Sequence, residues 1–320
     1  MKKNLSMVLI AVMVICLFSG CGQKANYTTS KVYKKIKIGI SLSDFSDKFL
    51  SYMLNEMKEY SKSIDNVEIQ YVDAQRDSNI QLEQVENFIS EGVDIIVVNP
   101  VDRDATKPIS DVAKAAGVPI ISVNTEFEDT NDTICYIDSD LKQSGTLEME
   151  YLAKKVDYKG NVAIIMGPID DEAQRLRTQA FHEVIAKYPD MKIIAEQTAG
   201  WNRSKGMALM EDWLESGKDI DVVACNNDEM AIGALMAIEK AGKLGEITVG
   251  GIDATPDSLD YLKSGKLAVT VFQNGSGQSQ AVLDTAVKVA NGEKVEKTII
   301  FENELVTSAQ ADKYIEKWKN

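Results

Sequence analysis

The chain has 320 residues, a formal net charge of −14 and 44% hydrophobic residues. That is apolar material enough for a packed core and length enough for two ordinary domains, which excludes a disordered chain. The acidity excludes nucleic acid as a partner, since a phosphate backbone requires clustered Lys and Arg.

The first twenty residues open on Lys2 and Lys3, run through an apolar stretch from Met7 to Phe18 and end on Ser19-Gly20. A basic start, an apolar middle and small residues read as a secretory signal peptide over residues 1–20. The apolar stretch is shorter than the ~20 residues that span hydrocarbon. Cys21 follows, and a cysteine there resembles the lipobox of bacterial lipoproteins, with Phe18 where that pattern usually has Leu. The resemblance implies a diacylglyceryl group on Cys21 and a protein held by lipid at a membrane face. Residues 21–35, with Gly22, Gln23, Lys24, Asn26, Thr28, Thr29 and Ser30, read as a polar linker. Cys16 leaves with the signal peptide. Cys135 and Cys225 stand in apolar, strand-like surroundings, so free core thiols are expected, with a disulfide between them as the alternative in an oxidising compartment.

From Ile36 the pattern alternates strand and helix. Ile36 to Ile40 predicts a strand, and Leu50, Met53, Leu54 and Met57 carry helical spacing through residues 49–63. A strand at Val67 to Val72 precedes a helix from Ile80 to Glu91. The unbroken apolar run Ile95 to Val98 predicts a strand buried on both faces, as in a parallel sheet. A helix from Asp104 to Ala116, stopped by Gly117, leads to a strand at Pro119 to Val123. The series restarts after residue 140, with strands at Val162 to Met166, Ile193 to Ala195, Val222 to Ala224 and Ile247 to Val249. Helices are expected over residues 171–187, 203–215 and 229–241. A strand at Leu267 to Phe272, a helix over residues 278–290 and a last helix near residues 309–319 close the chain. Two successive βα series predict an α/β protein of two Rossmann-like lobes with parallel sheets.

Ligands of open parallel sheets sit beyond the carboxyl ends of the strands. The residues there are polar and planar: Ser43, Asp44, Asp47 and Phe49; Asn99; Asn124, Thr125 and Glu126; Thr198 and Trp201; Asn226, Asn227 and Asp228; Asp253; Gln273 and Asn274. Amides, carboxylates and a guanidinium grip neighbouring hydroxyls two at a time, and the C–H face of a sugar ring packs on an aromatic such as Phe49 or Trp201. Asp228 is expected to cap its helix rather than to meet a ligand. The single histidine, His182, lies mid-helix without a Ser–His–acid set. No GxGxxG or P-loop follows a strand, so catalysis is not expected.

Three stretches, IIVVNPVDRD over residues 95–104, VVACNNDEMAIGALMAIEKA over 222–241 and GIDATPD over 251–257, resemble the ribose/galactose-type periplasmic binding proteins, solute-capturing subunits of ATP-binding cassette sugar importers. The resemblance runs from about Ile36 to Thr307. It implies two lobes, residues 36–138 with 273–301 and residues 139–272 with 302–320, joined by a three-segment hinge near residues 137–141, 270–273 and 301–306. In the first lobe it implies sugar contacts from Ser43, Asp47, Phe49, Asn99 and Asn124. In the second it implies Arg177, Trp201, Asn227, Asp253 and Gln273, with Asp171 either a contact or a helix cap. Asn124-Thr125 stands where ribose binders carry Asp-Arg, and Gln273 where galactose binders tend to carry Asn. The implied solute is a monosaccharide, a hexose ahead of a pentose, with a cyclitol or furanose as the alternative. The implied partner is a membrane permease, a sensor or chemoreceptor being the alternative; a monomer without cofactor or metal is expected. The segment Val156 to Gly160 is too short for a 12-residue calcium loop.

Overall fold

The computed structural model describes residues 35–318. The expected signal peptide, the lipidation site Cys21 and all of the linker but Lys35 lie outside the described residues. The first series comprises β1 (Ile36–Leu42), α1 (Lys48–Ser61), β2 (Val67–Asp73), α2 (Ser78–Ser90), β3 (Ile95–Val98), α3 (Lys107–Ala116), β4 (Ile120–Val123) and β5 (Cys135–Ser139). The second comprises α4 (Leu141–Lys155), β6 (Gly160–Met166), α5 (Glu172–Ile185), β7 (Met191–Thr198), α6 (Arg203–Glu215), β8 (Val222–Cys225), α7 (Asp228–Lys240), β9 (Thr248–Gly250), α8 (Pro256–Lys263) and β10 (Thr270–Phe272). Then come α9 (Gly275–Ala290), β11 (Thr298–Phe301), β12 (Glu304–Val306) and α10 (Ala311–Lys317).

Two parallel sheets result. One has the order β11-β5-β4-β3-β1-β2 and the other β7-β6-β8-β9, while β10 and β12 form an antiparallel pair. Isolated bridges, Gly250 to Val269 and Asp253 to Phe272, carry the second sheet on to β10. The expected strand from Leu267 is therefore regular only from Thr270. Each sheet is covered on both faces, which explains the unbroken apolar strands. Ile95 and Val97 of β3 pack with α1 and α9, whereas Ile96 and Val98 face α2 and α3. In the second sheet Ala163 and Ile165 of β6 face α6 and α7, and Val162 and Ile164 face α4 and α5. Cys135 and Cys225 are buried free thiols, one in each sheet's core.

The chain passes between the two sheets three times: from β5 into α4, from β10 into α9, and from β11 into β12. Asn303 ties two of these passages together, its Nδ2 donating to Asp140 O at 2.7 Å and its backbone N to Gln143 Oε1 at 3.0 Å.

Candidate functional site

Both sheets reverse strand order beside their first strand, β1 between β2 and β3, and β6 between β7 and β8. This switch point leaves a crevice beyond the carboxyl ends. An asparagine staples each one. Asn99, after β3, accepts at Oδ1 from Ser43 N at 3.2 Å and Ser43 Oγ at 2.7 Å. Asn226, after β8, accepts at Oδ1 from Gly167 N and Thr178 Oγ1, both at 3.1 Å. The crevices face one another and enclose a cavity of about 940 Å³. That is within the size range of small-molecule sites.

All eleven residues expected at the site line this cavity. On the first lobe Asp47 caps α1, its Oδ1 accepting from Leu50 N at 3.0 Å. Burial pushes its carboxyl up to about 6, the charges of Asp44 and Asp171 adding to the rise and the Leu50 amide and Arg76 opposing it. Phe49 forms an apolar wall. Asn124 donates from Nδ2 to Asp138 Oδ1 at 3.4 Å, which leaves its Oδ1 for the cavity. Asp138 is fully buried behind it, held by Tyr136 OH at 2.5 Å and Ser139 N at 2.6 Å. Burial raises that carboxyl to about 7.

On the second lobe Asp171 caps α5, accepting at Oδ1 from Ala173 N at 2.8 Å and Gln174 N at 3.2 Å. Its Oδ2 accepts from Trp201 Nε1 at 3.1 Å, so the one carboxylate both caps the helix and fixes the aromatic wall. Arg177, 4% exposed, donates to Asn226 O at 2.8 Å and stands 3.9 Å from Asp253 Oδ1. Its Nε is buried and has no hydrogen-bond partner among the described residues. Asp253 is buried, which pushes its carboxyl well above the usual range despite Arg177. Gln273 donates to Asp253 Oδ1 at 2.7 Å and accepts from Ser139 Oγ at 2.8 Å, so its amide is spent within the protein and joins two passages between the lobes. Asn227, not Asp228, caps α7, its Oδ1 accepting from Met230 N at 3.0 Å. The Asp228 carboxylate instead accepts from Thr255 N, Ser258 Oγ and Thr270 Oγ1 and locks α8 and β10 to α7.

Arg76, Lys205 and Asn202 also line the cavity and were not singled out in the sequence. Arg76 follows β2 and donates from Nε to Asp44 Oδ2 at 2.7 Å, with NH2 3.8 Å from Asp47 Oδ2. The strand-end rule, applied to β2 as it was to the other strands, would have found it.

The arrangement presents carboxylate and amide acceptors, guanidinium donors and two aromatic walls, and it suits an uncharged ring bearing several hydroxyls. Two lobes built on parallel sheets, with such a cavity at paired switch points, define a solute receptor. The chain belongs to the periplasmic binding protein family: the family model described as a periplasmic binding protein domain matches residues 38–294. A putative rhizopine-binding protein of Rhizobium meliloti is 42% identical over 85% of this chain and 90% of its own. The ribose import binding protein of Bacillus subtilis is 32% identical over 93% of this chain and 97% of its own. Among solved structures, an ABC transporter solute binding protein from Bacillus halodurans with bound myo-inositol has a TM-score of 0.86 at 43% identity, covering 89% of this chain and 98% of that one. The chain is thus a solute receptor of the periplasmic binding protein family, which works outside the cytoplasm and is not an enzyme.

Proposed function

We propose that the solute is a six-membered ring polyol, an inositol-type cyclitol ahead of a hexopyranose and either ahead of a pentose. The cavity chemistry carries the reading. Asp47, Asn124 and Asp253 offer acceptors from both lobes, Arg177 offers a buried donor without a hydrogen-bond partner among the described residues, and Phe49 and Trp201 wall the space between. An inositol has a hydroxyl on every ring carbon, each of them donor and acceptor, so acceptors and donors of both lobes find partners on it. The myo-inositol-bound neighbour at 43% identity supports the same solute class.

The lobes, residues 36–138 with 273–301 and residues 139–272 with 302–320, close on the ring by hinge motion at the three passages, and a membrane permease receives the closed form. Cys21 carries the lipid that keeps the receptor at the membrane, and residues 21–35 are its tether. Calorimetric titration of the purified receptor with myo-inositol, glucose, galactose, allose, ribose and xylitol tests the solute assignment. Myo-inositol is expected to bind tightest. Tighter binding of a pentose, or no heat from any cyclic polyol, would overturn it. Cys21→Ser is expected to release the protein into the medium with its affinity intact.

A further inference from the structure

Arg103 opens a short 3-10 helix after β3 and Glu126 lies in the loop after β4 of the first lobe, and Glu172 opens α5 of the second. Glu172 reaches across: its Oε2 accepts from the Glu126 amide at 3.3 Å, and its Oε1 stands 3.5 Å from Arg103 Nε. Arg175 of its own helix lies 3.3 Å from the same oxygen. None of these four residues lines the cavity, although Thr125 and Asp171, their immediate neighbours in sequence, both do. The Glu172 side chain is 9% exposed, so this contact is nearly out of water. Burial and then the Glu172 charge push the Glu126 carboxyl up, and Arg103 opposes both.

We propose that Arg103 and Glu172 form a clasp that sets solute affinity without touching the solute, by stabilising the closed arrangement of the lobes. The proposal rests on the reading that the lobes close over their ligand. A receptor whose binding-competent form is only partly populated binds more weakly in proportion to that fraction, so any contact made only on closure raises affinity. The geometry also gives the two partners unequal weight. Removing the Arg103 charge leaves two first-lobe and second-lobe carboxyls facing each other across the gap. Removing the Glu172 charge takes away the attraction and that repulsion together.

The test uses myo-inositol titration of the parent receptor, Arg103→Gln, Glu172→Gln and the double variant. Weakening of about tenfold is expected for Arg103→Gln and about threefold for Glu172→Gln, with the double variant no weaker than Arg103→Gln. For an uncharged solute, affinity in the parent should fall between about 50 and about 500 mM salt, because ions stabilise the separated charges, and Glu172→Gln should lose most of that dependence. Equal affinities and equal salt dependence in all four proteins would overturn the clasp. If myo-inositol binds none of them, the solute assignment fails, and small-angle scattering of the ligand-free proteins decides the clasp alone. Arg103→Gln should then have a larger radius of gyration than the parent, and superimposable profiles would refute it.

Discussion

Four cavity residues hold backbone conformations that L-residues avoid: φ is 58° at Arg76, 61° at Asn124, 62° at Trp201 and 126° at Asp253. Such positions cost on the order of 1–3 kcal/mol each and persist where the surroundings over-determine them. Trp201 shows how. Its indole is pinned by Asp171 and lies against Gly167, where an added Cβ would come within 2.3 Å of the ring. Gly167→Ala is therefore expected to push the indole out of place, weakening solute binding about tenfold, or about 1.4 kcal/mol, with little change in the ligand-free melting temperature. Arg177→Ala removes a charged contact and Asp253→Ala the carboxyl beside it at the cavity's centre, and calorimetry should show losses of about 2–3 kcal/mol each, near two decades of affinity. Unchanged affinity in both would remove Arg177 and Asp253 from the site. At this scale the sequence revealed residue types at strand ends but not which atoms face inward. Nothing local tells that the amides of Asn99 and Gln273 are consumed by Ser43, Val123, Asp253 and Ser139 while the Asn124 carbonyl oxygen is left for a ligand.

Helices α6 and α7 approach each other through reciprocal glycines. A Cβ on Gly206 would lie 2.9 Å from Met230 O, and one on Gly233 would lie 2.1 Å from Arg203 O. Backbone on the receiving side cannot rotate away as a side-chain tip would. Gly233→Ala should therefore separate the helices and cost about 1–3 kcal/mol in urea unfolding. It should also slacken Arg203, which bridges Glu229 of α7 and Asp257 of α8. A stability equal to the parent's would mean that the helices slide apart freely. Most elements were legible because apolar residues recur with a clear period along their buried faces. Helix α4 was not, and the reason is physical: its buried face includes Ser144, Gly145 and Glu148 among Leu141, Met149 and Leu152, which breaks the apolar period. Glu148 is fully buried, and its Oε1 accepts from Cys225 N at 3.2 Å. Helix α8 is not legible for another reason: its eight residues give a short apolar signal, with Leu259 and Leu262 its only fully buried apolar side chains.

For the whole molecule, the buried carboxyls at the cleft make stability and binding respond to pH in opposite directions. The folded protein raises Asp47 to about 6 and Asp138 to about 7, both from an ordinary 3.8. A carboxyl raised on folding binds its proton more tightly in the native state, so its contribution is complete below about pH 4 and is lost as pH climbs through the folded value. Carboxyls lowered on folding work in the opposite sense: Glu304, held near 2 by Lys317 and Tyr314, contributes fully above its ordinary 4.5 and loses that contribution as pH falls toward 2. That range lies below the one in which Asp47 and Asp138 titrate. The ligand-free melting temperature is thus expected to fall from about pH 5 to about pH 8. Binding should run the other way. A solute hydroxyl that donates to Asp47 favours the ionised carboxylate, so uptake of solute releases a proton where the free receptor holds one. Affinity should weaken by up to about tenfold per unit as pH falls below about 6, with Asp47→Asn removing that dependence. Titrations in two buffers of different ionisation heat would register the proton release directly. Proton uptake on binding near pH 6, or affinity that strengthens toward acid, would mean that the solute meets a protonated Asp47 and that this residue acts as a donor rather than an acceptor.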